Sequence, residues 1–173
     1  MTRAAFFRNL NHGHSGSPTG AQLGEAFGGP AVARTFQTNG TVLYDGRPET
    51  LDTARARLGA LGFHHDVVVR SLPEIVASTR LVDEAEVGED VYRVILSFFD
   101  SDVLPAVELP LRSANGLVEV RRLEPGVAAS YTWRRGSSVG DVTGLLERLL
   151  GVPVTSRTLG TVQRLARAAE DLR

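Results

Sequence analysis

Hydrophobic and polar positions near the start of the chain predict a strand, a short helix and a hairpin. Residues 4–10, AAFFRNL, are rich in apolar and aromatic side chains and predict a first strand. The loop NHGHSGSP interrupts this pattern, after which Ser17 and Pro18 predict the start of a helix. Asn39 and Gly40 lie between two apolar runs in RTFQTNGTVLY, which predicts an antiparallel hairpin.

A second helix, a fourth strand and a third helix follow. Pro48 opens a helix that Gly62 ends, and its apolar residues on one face are Leu51, Ala54, Leu58 and Leu61. Residues 66–70, DVVVR, predict a buried strand, and Ser71 with Glu74 forms a capping-box pattern for the next helix. The order strand, helix, strand, strand, helix, strand is that of a ferredoxin-like sandwich.

The pattern after residue 80 predicts a similar series of elements. The acidic residues 81–90 predict a linker, YRVILSFF a central strand, and residues 103–109 a short helix. LVEVRRL and AASYTWR predict a second hairpin, turned by Pro125 and Gly126.

Two helices close the chain. Ser138 and Asp141 cap the clearest one, whose apolar stripe consists of Val142, Leu145, Leu146, Leu149 and Leu150. The pattern predicts a last helix over residues 161–172. The pattern predicts an α+β protein of two consecutive ferredoxin-like halves with mainly antiparallel sheets. These halves are residues 1–80 and residues 81–173, the second with an extra C-terminal helix; the duplication rests on element order, without a residue-level repeat.

Composition excludes several classes of site. Nineteen basic residues, all arginine, and twenty acidic residues give a net charge of -1, which does not favour nucleic-acid binding. Cysteine and lysine are both missing, which excludes thiolate metal sites, cysteine nucleophiles and Schiff-base lysines. The apolar runs are too short to span a bilayer or to form a signal peptide. We therefore expect a soluble cytoplasmic protein that binds neither membrane nor nucleic acid.

Several segments resemble a bacterial family of unestablished function, the domain of unknown function 1697 family. FFRNLNHGHSG resembles its opening strand and Gly-rich loop, RTFQTNGTVLY its signature hairpin, and GFHHDVVVRSLPEI its strand-to-helix junction. GLLERLLGVPVTSRTLGTVQRLARAA is similar to its closing helices. Arg8, Asn11 and Gly40 match signature positions, whereas His12 and His14 depart from the family's loop. The resemblance implies the fold of a divergent member, and no particular reaction.

The predicted topology brings all four histidines to one edge of the first half. His12 and His14 lie in the loop after the first strand, while His64 and His65 open the fourth strand, which pairs beside the first. The Gly/Ser-rich loop before a helix N-terminus is also a candidate anion site. The predicted ligand-binding residues are Arg8, Asn11, His12, His14, Ser15, Asn39, His64 and His65. The imidazoles could hold a divalent metal, act as bases near neutral pH, or be solvated loop residues.

Arginine and aromatic residues on the second hairpin are a separate candidate. Tyr131 and Trp133 fall on one face of a strand and Arg134 on the other. This favours core aromatics with a solvated arginine face over a stacking surface for single-stranded nucleic acid. The carboxylates of residues 81–90 likewise favour a solvated loop over a catalytic acid–base pair.

Two classes of function remain. The favoured hypothesis is a non-catalytic small-ligand-binding or interaction module, with a small-molecule or anionic ligand at the loop edge of the first half. The alternative is an enzyme that uses histidines at that edge as acid/base groups or metal ligands. The sequence indicates no cofactor, and it identifies neither the substrate nor the oligomeric state.

Overall fold

The computed structural model describes residues 2–10 and 15–170 and divides the chain into two units. Unit 1 consists of residues 1–74 and 168–173, and unit 2 of residues 75–167. Both units are α+β, and their paired strands are antiparallel, as the sequence predicts. In the described part of the chain, no helix is long and apolar enough to cross a membrane.

Unit 1 is a four-stranded sheet with two helices between its strands. In chain order the elements are β1 (Arg3–Phe7), α1 (Gly20–Ala26), β2 (Ala33–Phe36), β3 (Thr41–Tyr44), α2 (Pro48–Ala60), β4 (Val67–Ser71) and the start of α3 (Leu72–Thr79). The strand order is β2-β3-β1-β4. The predicted hairpin is therefore confirmed as β2–β3, and β4 lies beside β1 at the sheet edge with most of its side chains buried.

Short-range signals account for the ends of these elements. Thr19, two residues after the predicted start at Ser17, caps α1, because its hydroxyl accepts from the N–H of Gln22 at 3.2 Å. The Gln22 side chain accepts from the N–H of Thr19 at 2.9 Å, which completes a capping box. Gly40 has φ +68, and a Cβ there would lie 2.8 Å from Cβ of Leu10, so this turn requires glycine.

One face of the unit 1 sheet packs against both helices. Leu23 and Phe27 from the α1 region, with Leu58 from α2, cover the strands, and the Phe27 ring lies edge-on to Phe7 at 6.1 Å. The buried strand residues of this core are Ala5, Phe7, Ala33, Val42, Tyr44 and Val67.

Unit 2 is built on a five-stranded sheet. Its elements are β5 (Arg93–Phe99), β6 (Leu111–Arg112), β7 (Val118–Glu124), β8 (Val127–Thr132), β9 (Arg134–Arg135), β10 (Ser138–Val139), α4 (Val142–Leu150), β11 (Val154–Thr158) and most of α5 (Leu159–Glu170). The sheet order is β11-β5-β8-β7-β6, while β9 and β10 pair separately. The central position predicted for the YRVILSFF strand is confirmed, since β5 pairs with both β11 and β8.

The helix predicted at residues 103–109 is wrong, because this segment has no regular secondary structure. Pro105 and Pro110 bracket a window too short to form a helix without burying an apolar face. Leu104 packs against the core of unit 2, but Val103 and Leu109 are 83% and 37% exposed, so the segment buries no continuous apolar face. The two-residue strands β6, β9 and β10 were not predicted, because they are too short to show periodicity. Ser138 lies in β10, and Asp141 alone caps α4.

The junction from the last strand of each sheet into the following helix is similar in the two units. VVVRSLPEI at residues 67–75 and VTSRTLGTV at residues 154–162 each pass from the last strand of a sheet into a helix. Arg70 and Arg157 occupy the same position, are both buried, and each donates to the backbone carbonyl of the preceding residue at 2.7 and 2.8 Å. Burial lowers the pKa of Arg157 to about 10. Ser71 and Thr158, the next residues, each accept a backbone N–H three positions on.

Candidate functional site

A cavity of about 320 Å³ lies in unit 1 where α2 leads into β4. Three of its lining residues are apolar and four are polar or charged. These are Phe7, Arg55, Leu58, Phe63, His64, His65 and Asp66. The cavity thus combines an apolar surface with one guanidinium, one carboxylate and two imidazoles.

Local backbone geometry brings these side chains together. The N–H of Phe63 donates to the carbonyl of Leu58 at 2.9 Å, and Gly62 with φ +84 turns the chain out of α2. The N–H of Arg8 donates to the carbonyl of Asp66 at 2.8 Å, which extends the β1–β4 pairing by one step. The segment that carries both histidines is therefore held against the end of β1.

His65 has a defined hydrogen bond on one ring nitrogen. Its Nδ1 lies 3.2 Å from the backbone carbonyl oxygen of Arg8. A carbonyl only accepts, so Nδ1 donates, and in the neutral ring Nε2 carries the lone pair. Nε2 is shielded from solvent and has no hydrogen-bond partner among the residues that the structure describes. A buried polar atom left unpaired costs about 1–3 kcal/mol.

His64 differs from its neighbour in environment. Its side chain is exposed, and its ring lies beside Gly59 in the last turn of α2, where a Cβ would be 3.4 Å from Cε1. The two adjacent histidines therefore differ: His64 is exposed, whereas His65 has a buried ring nitrogen without a partner among the described residues. His64 can serve as a control for His65.

The structure places the predicted site residues in different surroundings. Arg8 is half-buried and holds His65 through its carbonyl, but its side chain does not line the cavity. Asn39 accepts from the Thr41 hydroxyl at 2.9 Å in the hairpin turn, and Ser15 is exposed. The remaining predicted residues, Asn11, His12 and His14, lie outside the described residues, so the gathering of all four histidines stays a prediction.

Sequence reasoning missed the rest of the cavity. Arg55 and Leu58 are one helical turn apart on α2, and Phe63 and Asp66 flank the histidines. The signal that could have found Arg55 and Leu58 is their position in the last two turns of a helix that ends shortly before the histidines.

Metal binding was the alternative role for the histidines. Within residues 2–10 and 15–170, no group of three or more His, Asp or Glu side chains could hold a metal ion. His64, His65 and Asp66 thus do not form a metal site with other described side chains.

Two other features of the described residues resemble a site less closely. A smaller cavity of about 180 Å³ lies beside β2 and β3, and its described lining side chains include no buried polar atom that lacks a partner. Ser130 Oγ in β8 is buried without a partner in the described part of the chain, but it lines neither cavity. A serine hydroxyl can rotate about its C–O bond, whereas a ring nitrogen is fixed in the ring plane. An unpaired serine hydroxyl is therefore weaker evidence for a ligand site.

Tyr131 is buried and Arg122, Arg134 and Arg135 are exposed, as the sequence predicts, but Arg121 lies against an aromatic ring. Arg121 lies over the Tyr131 ring at 5.4 Å, and Arg112 over Trp133 at 5.9 Å. Both arginines donate to the carboxylate of Glu119, which is only 3% exposed. The arginines here are therefore partners of a buried carboxylate.

Comparisons with known proteins found no match, whether to a family model, to a curated protein or to a solved structure. No activity can therefore be carried over from a relative. The cavity beside His65 is the feature from which a function can be inferred.

Proposed function

We propose that this protein is a non-catalytic small-ligand-binding module whose site is the unit 1 cavity beside His65. The cavity volume of about 320 Å³ is at the lower end of the range for small-molecule sites. Its lining is more polar than that of most such sites, since four of its seven residues are polar or charged and could orient a ligand.

The observation that carries this proposal is the unpaired Nε2 of His65. Polar atoms buried without a partner are uncommon in native proteins, and each one calls for an explanation. A ligand that bonds to Nε2 would recover the free energy that this buried nitrogen otherwise costs. The anchored Nδ1 fixes which group the ring can offer a ligand, namely a lone pair at Nε2.

The fold proposal that accompanies this site is that both units are ferredoxin-like halves. The order β2-β3-β1-β4 in unit 1 supports it, because the first and fourth strands are neighbours in that fold. In unit 2 the order β11-β5-β8-β7 corresponds, with residues 100–110 in place of the first helix. The equivalent contacts of Arg70 and Arg157 at the two strand-to-helix junctions also support it. We keep membership in the domain of unknown function 1697 family as part of this fold proposal, and it contributes no activity.

Ligand-dependent stability tests the proposed function. The purified chain is screened by thermal unfolding against a set of neutral and anionic small molecules, alongside the variants His65→Asn and His64→Asn. The asparagine in His65→Asn retains an amide that can donate to the Arg8 carbonyl but lacks the Nε2 lone pair. We expect a compound that raises the melting temperature of the native chain and of His64→Asn by mass action, and not that of His65→Asn. The proposal would be contradicted if no compound raised the melting temperature of the native chain, or if every active compound raised that of the native chain, His64→Asn and His65→Asn equally.

The alternative function is an enzyme with His65 as a general base. The same geometry favours it, since an imidazole anchored through Nδ1 with a free Nε2 is the form in which histidine accepts a proton. Prolonged incubation of a bound compound with the native chain separates the two functions. Recovery of the unchanged compound supports the binding module, and a product that His65→Asn fails to form supports the enzyme.

A further inference from the structure

Building on the proposed function, we infer that the ligand of the unit 1 cavity is a small hydroxy acid with an apolar body. Its hydroxyl donates to Nε2 of His65, its carboxylate pairs with Arg55, and its apolar part packs on the remaining wall. Each of these three requirements follows from a different feature of the cavity.

The need for a donor follows from the His65 tautomer. Because Nδ1 donates to the Arg8 carbonyl at 3.2 Å, the neutral ring presents only a lone pair at Nε2. An ionised carboxylate has no hydrogen to offer this lone pair, whereas a hydroxyl has. Nε2 is shielded from solvent, so the hydroxyl reaches it only after a small displacement of the ring or of the wall beside it.

The need for one anionic group follows from Arg55. It is the only arginine that lines the cavity, and it forms no hydrogen bond or ion pair with any residue in the described ranges. A guanidinium matches the two oxygens of a carboxylate in bidentate geometry. Asp66 also lines the cavity and repels additional negative charge, which favours a monoanion over a phosphate dianion.

The volume of the cavity and its apolar wall determine the size and polarity of the rest of the ligand. Phe7, Leu58 and Phe63 contribute apolar surface. A volume of 320 Å³ corresponds to about ten waters at their share of liquid volume, so a ligand of about ten non-hydrogen atoms fits. An aromatic hydroxy acid satisfies all three requirements at this size.

Three matched probes test the inference in calorimetric titrations of the full chain. Mandelate carries the phenyl ring, the hydroxyl and the carboxylate; phenylacetate lacks the hydroxyl; 1-phenylethane-1,2-diol lacks the carboxylate. We expect mandelate to bind about tenfold more tightly than either of the others, as the loss of one well-placed hydrogen bond predicts. Phenylacetate or the diol binding as tightly as mandelate would overturn the inference, without requiring any variant to fold.

Two variants assign the groups. His65→Asn should abolish the preference for mandelate over phenylacetate, and Arg55→Gln should abolish the preference for mandelate over the diol. His64→Asn is the matched control for the first, and Arg135→Gln, an exposed arginine of unit 2, for the second. Mandelate affinity that is unchanged in both cavity variants would place the binding elsewhere and overturn the inference.

The failure of this inference differs from the failure of the proposed function. If compounds of the screening set stabilise the chain through His65 while none of the three probes binds, the ligand class is wrong and the binding module stands. If neither the probes nor the screening set binds, both are wrong.

Discussion

At the scale of single residues, the two adjacent histidines show what a sequence leaves open. The sequence predicts that both histidines open the fourth strand, whereas β4 begins at Val67 and both lie in the segment before it. The sequence does not predict that Nδ1 of His65 meets the carbonyl of Arg8, which lies 57 positions earlier in the chain. The histidine pair was therefore predictable as a candidate, but the one buried nitrogen that distinguishes the two residues depends on long-range strand pairing.

Glu119 should make the stability of unit 2 dependent on pH. Burial acts to raise its pKa, but hydrogen bonds from Arg112 and Arg121 outweigh burial, so the pKa lies below its usual value of 4.5. A carboxyl whose pKa is lower in the folded state stabilises the fold above its unfolded pKa, and that contribution disappears as the pH falls through the folded pKa. Glu119→Gln should therefore be less stable at neutral pH and lose less stability on acidification.

Urea unfolding at pH 7 and at pH 3 measures this effect; we call the loss of unfolding free energy between the two pH values the slope. Asp45 and Glu74 also have lowered pKa values, so some slope remains in every variant. Glu124→Gln, at an exposed position of the same strand, should keep the native slope. A slope that is equal in Glu119→Gln and the native chain would show that the ion pairs contribute nothing.

Gly140 is a glycine whose substitution should be poorly tolerated. A Cβ at this position would lie 2.1 Å from the carbonyl oxygen of Leu117 and 2.6 Å from a methyl of Val118, and the carbonyl is backbone that cannot turn away. Gly140→Ala should destabilise the chain by at least about 1–3 kcal/mol, the usual cost of overpacking. Gly160→Ala is the control, since its Cβ would meet only the end of the Arg164 side chain at 3.6 Å. Equal unfolding free energies for both variants would refute this account of Gly140.

At the scale of elements, periodicity predicted the long amphipathic segments and failed on the short ones. α4 was predictable because its apolar stripe and its cap at Asp141 agree. Residues 103–109 contain enough apolar side chains to suggest a helix, but they include a proline, and Val103 and Leu109 are exposed while Leu104 packs on the core of unit 2. A seven-residue helix depends on tertiary packing that sequence patterning does not report.

Leu146 tests the packing of α4. It is fully buried in the middle of the helix and packs in the core of unit 2 with Val142 and Phe99. Leu146→Ala should lower the free energy of unfolding by about 2–5 kcal/mol, the range for a buried large-to-small change. Arg148→Ala, exposed on the same helix, should change it by less than about 0.5 kcal/mol. Denaturant unfolding that finds similar losses for both would mean that this stripe is not a core.

At the scale of the whole molecule, element order predicted the antiparallel α+β architecture, whereas the similarity of the two strand-to-helix junctions is visible only in the structure. VVVRSLPEI and VTSRTLGTV share few identities, so their correspondence emerges from the equal positions of Arg70 and Arg157 at the ends of β4 and β11. The cavity could not be predicted as a whole, because its lining comes from β1, α2 and the segment before β4.

Overall charge predicts how the chain behaves toward nucleic acids. The net charge is -1, so the chain has no excess of positive charge, and Arg112 and Arg121 are engaged by Glu119. Mobility-shift assays with single-stranded RNA or DNA at physiological salt should show no binding in the micromolar range. Tight, salt-sensitive binding that Arg121→Ala and Arg134→Ala abolish would reverse this prediction.

The central claim, that His65 offers a lone pair to a ligand in the unit 1 cavity, has a direct test in the nitrogen NMR spectrum of its ring. The measurement is made near pH 8.5, where ordinary imidazoles are neutral, and His65→Asn identifies the signals among those of the four histidines. The account predicts a proton on Nδ1, none on Nε2, and a shift of the Nε2 signal when mandelate is added. A proton on Nε2 in the free protein, or an Nε2 signal that mandelate leaves unchanged, would contradict it.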